Sequence, residues 1–281
     1  MGIIDGKMVA SQIKENITTE VQSLKKKTGK TPGLAVVLVG DDPASAMYVR
    51  NKNKTCNNIG FQSFENILPA NTSESELLNL IHELNNDEKV NGILVQLPLP
   101  NHIASKKILE AINPQKDVDG FHLENVGRLV TGHSLFKPCT PAGIIKLLDK
   151  YDVEIEGKNA VIIGRSNIVG KPVAFLLLER NATVTICHSR TKNLSNLARS
   201  ADILIAAIGK PNFVTADMVK DNSVVIDVGI NRLAGKLVGD VDFSAVLKKA
   251  SLITPVPGGV GPMTIAMLME NTFQAFKNSL K

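Results

Sequence analysis

Tyr48 and Lys52 lie four residues apart in a helix-like stretch, so their side chains stand one turn from each other on the same face. A lysine beside a ring that can stack on a flat substrate can have its pKa lowered by desolvation and then give or take a proton. A solvated surface pair is the alternative for this spacing. An amide, Gln96, interrupts the apolar run Gly92-Ile93-Leu94-Val95-Gln96-Leu97-Pro98 near its carboxyl end, where open α/β sheets bind ligands. Buried amides need partners, and Gln96 can hold the Lys52 amine or be satisfied as a structural amide by backbone. Asp117-Val118-Asp119-Gly120 forms an acidic turn that lacks the other ligands and the closing glutamate of a calcium loop. Asp119 can instead pair with the amidine-like edge of a heterocycle. These side chains suit proton transfer on a flat heterocycle, with no metal site.

A second constellation binds phosphate. Ala160-Val161-Ile162-Ile163 runs into Gly164-Arg165-Ser166 and then a helix containing Gly170 and Pro172. Backbone N–H groups at a helix start lack internal partners and carry the positive end of the macrodipole, which favours an anionic diphosphate. The spacing departs from G-x-G-x-x-G, because only Gly164 and Gly170 are present. The next β run, Thr183 to Cys187, ends in His188-Ser189-Arg190, where an NAD site would place a carboxylate. Hydroxyl and guanidinium groups bind a 2′-phosphate that a carboxylate would repel, and Arg165 can add a second cation. The half therefore reads as an NADP site, with solvated surface charges as the alternative for Arg165 and Arg190.

These residues need a scaffold of alternating strands and helices. Apolar runs at Leu34 to Val39, Gly92 to Leu97, Ala160 to Ile163, Thr183 to Cys187, Ile203 to Ala207, Val224 to Val228 and Leu252 to Val256 alternate with helical patterns, which predicts α/β with mostly parallel sheets. Asp41-Asp42-Pro43 reads as a helix cap and Gly60 as a stop, so the helix carrying Tyr48 and Lys52 spans about Pro43 to Ile59. Gly127 to Pro141 reads as a hinge, and a last helix, Thr264 to Phe276, returns to the first domain. The expected division is 1–137 plus 264–281 as substrate-binding domain and 138–263 as a Rossmann-like domain.

At 281 residues with 43% hydrophobic content and only 4% aromatics, the chain can bury two aliphatic cores. A net charge of +5 without interleaved aromatics argues against nucleic acid, and Lys25-Lys26-Lys27 reads as a solvated helix end. Cys56, Cys139 and Cys187 are odd in number and far apart, which fits a reducing cytoplasm. The first residues have neither the charge order nor the apolar segment of a signal peptide, and no membrane span is expected.

Six ordered motifs carry a family resemblance over nearly the whole chain. They are Tyr48-x-x-x-Lys52, Val95-Gln96-Leu97-Pro98-Leu99-Pro100, Lys116-Asp117-Val118-Asp119-Gly120, Pro138-Cys139-Thr140-Pro141, Gly164-Arg165-Ser166-x-Ile168-Val169-Gly170-x-Pro172 and Pro255-Val256-Pro257-Gly258-Gly259-Val260-Gly261-Pro262-Met263-Thr264. The chain resembles the bifunctional methylenetetrahydrofolate dehydrogenase/methenyltetrahydrofolate cyclohydrolases. The resemblance implies NADP-linked oxidation of 5,10-methylenetetrahydrofolate and hydrolysis of the methenyl product to 10-formyltetrahydrofolate. It further implies that Lys52 is the catalytic lysine, Tyr48 stacks on the folate, Gln96 tunes the lysine and Asp119 grips the pterin. Pro262 would touch substrate, and Gly164, Arg165, Ser166, Ser189 and Ile230 would touch cofactor. Relatives of this kind are homodimers paired through the nucleotide domain.

The chemistry agrees. Hydride loss leaves a cation shared by two nitrogens, so the first step needs no strong base and disfavours an ammonium nearby. Water then adds to that cation, and a neutral amine can take its proton and return it to the departing nitrogen. A shikimate-type dehydrogenase would explain the glycine turn but usually brings a Lys/Asp pair for alcohol deprotonation, and no acidic residue follows Lys52 closely in the sequence. A nucleotide sensor would need none of Tyr48, Lys52, Gln96 and Asp119.

Overall fold

The computed structural model of the chain describes residues 2–280, apart from the Ala44 side chain. Met1 and Lys281, the outer ends of the expected first domain, lie outside the described residues. In chain order the strands are β1 (Gly2–Ile3), β2 (Gly33–Val39), β3 (Gln62–Leu68), β4 (Gly92–Val95), β5 (Asn159–Ile163), β6 (Thr183–Cys187), β7 (Ile203–Ala206), β8 (Val224–Asp227), β9 (Asn231–Leu233), β10 (Lys236–Val238) and β11 (Leu252–Ile253). Contacts divide the chain into two compact units, Gln12–Lys137 with the chain from Leu268, and the chain up to Ser11 with Pro138–Met267. The first residues join the second unit because β1 pairs in parallel with β11, Gly2 against Leu252.

The first unit is built on a three-stranded parallel sheet in the order β3-β2-β4. Gly33-Leu34-Ala35-Val36-Val37-Leu38-Val39 is buried at all seven positions, as a central strand covered on both faces must be. One face, Ala35, Val37 and Val39, joins Ile93 and Val95 of β4 and Leu77 and Ile81 of the helix Glu74–Asn86 in one core. That helix starts with a capping box in which Ser73 and Glu76 satisfy each other's backbone N–H. β3 was not foreseen because Gln62-Ser63-Phe64-Glu65-Asn66-Ile67-Leu68 is an edge strand that buries only part of each side, leaving Ile67 61% exposed.

The second unit holds a six-stranded, all-parallel sheet ordered β1-β11-β8-β7-β5-β6, plus the β9–β10 hairpin. Ile, Leu, Val and Ala fill its core, including Val161, Ile163, Leu204, Val225 and Ile253. The α/β class with parallel sheets and a Rossmann-like unit is thus as expected. β11 ends at Ile253, short of the expected Val256, since Pro255 and Pro257 offer no ladder donors. The expected hinge, Gly127 to Pro141, has an irregular centre, residues 131–138, between two helix ends, and one boundary between the units falls at Lys137 and Pro138. Leu123–Val130 and Cys139–Lys150 are helices, with Pro138 as N-cap and Pro141 in the first turn, where a missing N–H costs nothing. The last helix is longer than expected, Val260–Ser279.

Candidate active site

In both sheets consecutive strands are laid down on opposite sides of a founding strand, and at such reversals the carboxyl ends of neighbouring strands leave room for a ligand. In the first unit the reversal lies at β2 and β4. After β2, Gly40 turns with φ +92 and donates to Leu68 O at 2.9 Å. The helix Pro43–Asn58 follows, capped by the Asp42 carboxylate, which accepts from Ser45 N at 2.8 Å. It carries Tyr48, 38% exposed, and the half-buried Lys52.

Gln96 lies one residue beyond β4 rather than inside it. Its backbone N still donates to Val37 O at 2.8 Å, so the ladder runs one step past the strand. Its side-chain Nε2 donates to Leu97 O at 2.6 Å, which turns Oε1 toward the helix, and Lys52 Nζ donates to that oxygen at 2.9 Å. The pairing expected of Lys52 and Gln96 is therefore present. The amide oxygen thus fixes where the amine points. The Leu97-Pro98 bond is cis.

Asp117 and Asp119 take different parts. Asp117 is buried and structural: it accepts from His122 N and Asn125 Nδ2, both at 2.8 Å. Asp119 is half-buried in a segment that runs beside β4, where Ile93 N donates to Lys116 O at 2.7 Å and Ile93 pairs in parallel with Asp117. Gly120, φ +75, closes the turn with a bond to Asp117 O. Asn271, inconspicuous in the sequence, locks the segment by donating to Val118 O at 2.8 Å and Lys137 O at 3.0 Å. Its signal, an amide within the apolar last helix, is visible only once the two segments meet.

In the second unit the reversal lies at β5 and β7. Gly164 N donates to Cys187 O at 2.9 Å and Ala207 N to Ile163 O at 2.8 Å, which places the turn between the ends of β6 and β7. Gly164 adopts φ +132, and a Cβ there would overlap the Ala207 carbonyl. A Cβ on Gly170 would overlap the Gly164 carbonyl. The pair thus performs two of the three glycine roles of the dinucleotide fingerprint, tight turn and close helix packing. Ser166 stands where the middle glycine would be, and its Oγ accepts from Val169 N at 3.2 Å and Gly170 N at 3.3 Å at the start of the helix Gly170–Glu179. Arg165, Ser189 and Arg190 are exposed. The loop after β6 is held by His188 N donating to Thr191 Oγ1 at 2.8 Å and Arg190 N donating to His188 Nδ1 at 3.1 Å. Ile230 is 49% exposed beyond β8, and Pro262 is half-buried in the first turn of the last helix, within this second unit.

The three cysteines are buried and form no disulfide, and burial pushes the Cys56 thiol up to about 12 and raises that of Cys187, so neither of these two offers a ready thiolate. Among the described residues no helix is long and apolar enough to cross a membrane.

Fold and site together define a two-unit enzyme, one unit carrying an oriented amine and the other a dinucleotide cradle. Residues 4–119 match the tetrahydrofolate dehydrogenase/cyclohydrolase catalytic domain, and residues 138–280 match its NAD(P)-binding domain. The chain belongs to the tetrahydrofolate dehydrogenase/cyclohydrolase family. It is a bifunctional enzyme acting on tetrahydrofolate derivatives with a nicotinamide dinucleotide, which sets aside the shikimate-type and sensor readings. The bifunctional protein FolD of Campylobacter hominis is 60% identical over 282 residues, 100% of this chain and 99% of its own. The solved FolD dehydrogenase/cyclohydrolase of Campylobacter jejuni shares 55% identity at TM-score 0.97, covering 99% of both chains. The Trypanosoma brucei enzyme, solved with NADP cofactor and inhibitor, shares 40% identity at TM-score 0.96 over 99% of this chain and 98% of its own.

Proposed function

We propose that the chain oxidises 5,10-methylenetetrahydrofolate with NADP and hydrolyses the methenyl product to 10-formyltetrahydrofolate, with Lys52 as the proton-transfer group of the hydrolysis. The observation that carries this reading is the Lys52 amine held on the Gln96 amide at 2.9 Å. Lys52, kept neutral for part of the cycle, accepts the proton of the attacking water and returns it to the leaving nitrogen. Gln96 fixes the amine, Tyr48 stacks on the folate from the same helix face, and Asp119 hydrogen-bonds the pterin edge. Pro262 is a further substrate contact.

The cradle of Gly164 and Gly170 fits a dinucleotide, because a side chain at either position would collide with the Ala207 or Gly164 carbonyl and force apart the tight turn and helix start that present backbone N–H groups to a diphosphate. When bound, NADP supplies the hydride acceptor. Ser166 would lie at its diphosphate, Ser189 and Arg190 would hold the 2′-phosphate with Arg165 as a second cation, and Ile230 would contact the cofactor beyond β8. Residues 1–137 with 264–281 act as the folate-binding domain, apart from the first residues, whose β1 extends the sheet of the NADP domain, 138–263. The enzyme works in the cytoplasm on one-carbon units as a homodimer paired through the nucleotide unit. The exposed apolar Leu233 and Leu237 of the β9–β10 hairpin support that pairing.

Ser189→Asp tests the cofactor assignment. A carboxylate there repels the 2′-phosphate and offers the ribose hydroxyl an acceptor, so the ratio of kcat/KM for NADP over NAD falls by about tenfold or more. Steady-state kinetics with both cofactors read it, and an unchanged ratio means that the 2′-phosphate is held elsewhere.

A further inference from the structure

Two carboxylates outside the site described above sit buried at the carboxyl edge of the second sheet. Asp227, the last residue of β8, is 2% exposed, and Asp240 is 0% exposed. Their partners are mainly backbone N–H groups. Asp240 Oδ2 accepts from Ile208 N at 2.7 Å and Gly209 N at 3.0 Å, and its Oδ1 accepts from Lys210 N at 2.8 Å and Asn231 Nδ2 at 3.0 Å. Three successive backbone N–H groups converging on one anionic group make an anion nest, and here both oxygens of an internal carboxylate fill it. Asp227 Oδ1 accepts from Gly229 N at 3.0 Å and Asp240 N at 2.8 Å, and its Oδ2 accepts from Val241 N at 3.0 Å.

The contacts are close enough to dictate sequence. A Cβ on Gly229 would overlap the Asp240 carboxylate, and one on Gly239 would overlap that of Asp227. Burial, reinforced by the Asp240 charge, pushes the Asp227 carboxyl up to about 6 against the pull of its three backbone donors. Keeping two anions here is unfavourable for the fold on its own, which points to a use for the shape they impose.

That shape concerns two loops. Asp240 fixes 208–210, which follow Ala207, the residue whose carbonyl abuts Gly164. Asp227 fixes the turn at Gly229, next to Ile230. We infer that Asp227 and Asp240 are positioning residues for the dinucleotide, holding the loops after β7 and β8 in the form that receives the cofactor beside the Gly164 turn. The inference rests on the dinucleotide-binding reading of this unit and adds the device that shapes it.

The bifunctional chain supplies its own control, because hydrolysis of the methenyl substrate consumes no dinucleotide. Asp240→Asn puts an N–H₂ where an oxygen met backbone donors. Losing charge-assisted bonds of this kind is expected to raise the KM for NADP by about tenfold or more, with kcat/KM for hydrolysis held within about twofold. Asn231→Ala, which removes a single side-chain donor to Asp240, moves the same KM by about threefold. A normally hydrolysing Asp240→Asn variant with an unchanged NADP KM overturns the inference. Should that variant lose both activities together, Asn231→Ala decides: a raised KM supports the inference and an unchanged one overturns it. A parent enzyme that fails to reduce NADP at all would instead remove the dinucleotide reading itself.

Discussion

Lys52→Met is expected to lose hydrolysis of methenyltetrahydrofolate by about a hundredfold or more, the scale of a positioned acid–base group, while still binding folate. Methionine keeps much of the length and apolar stem of the lysine but can neither take nor give a proton. The fold should tolerate it. Lys52 is only half-buried, and Gln96 keeps its bonds to Leu97 O and Val37 O, so the strand end stays in place. Loss of the methenyl absorbance in single-substrate assays, with folate affinity measured separately, reads the split. Undiminished hydrolysis would remove Lys52 from the mechanism.

Gly164→Ala has the second large effect and strikes the other activity. Backbone at φ +132 is poorly accessible to a residue with a Cβ, which costs about 1–3 kcal/mol in strain alone. The added methyl also runs into the Ala207 carbonyl, so the turn must move away from the ends of β6 and β7. The KM for NADP should rise by more than about tenfold and the melting temperature should fall. Gly157→Ala is the comparison, since Gly157 has φ +70 with nothing within 4 Å of an added Cβ. It should lower stability and leave the NADP KM near that of the parent. Equal effects at the two positions would mean that strain, not approach to the ligand, explains Gly164.

Much of this site could be read from local chemistry. Asp42 and Pro43 start the helix and Gly60 lies just past its end, so the shared face of Tyr48 and Lys52 follows from a capping rule and a spacing. Gln96 stood out as a polar residue in an apolar run. Placing it one residue beyond β4 needed the bond of its own side chain to Leu97 O, which no propensity encodes. Gly164 and Gly170 were readable as a phosphate turn despite the non-standard spacing, and Ser166 accounts for the difference by capping two helix amides itself.

What escaped the sequence depends on pairing across distance. β1 becomes a strand only because Leu252 and Ile253 offer it an edge, and the first residues then group with a unit that begins more than a hundred residues later. Asp227 and Asp240 look like ordinary loop acids, and Asp240 ordinarily belongs on a surface. Their burial is apparent only when the backbone of 208–210 and 239–241 closes round them. Asn271 is illegible for the same reason, since its partners Val118 and Lys137 lie far from it in the chain.

The most direct measurement is to mix the purified parent enzyme with 5,10-methylenetetrahydrofolate and NADP and follow the reduced-nicotinamide and methenyl absorbance bands together. Growth of the nicotinamide band, with the methenyl band rising and then decaying as 10-formyltetrahydrofolate accumulates, is the predicted result. A flat nicotinamide band, or a methenyl product that persists no less in the parent than in Lys52→Met, would contradict it.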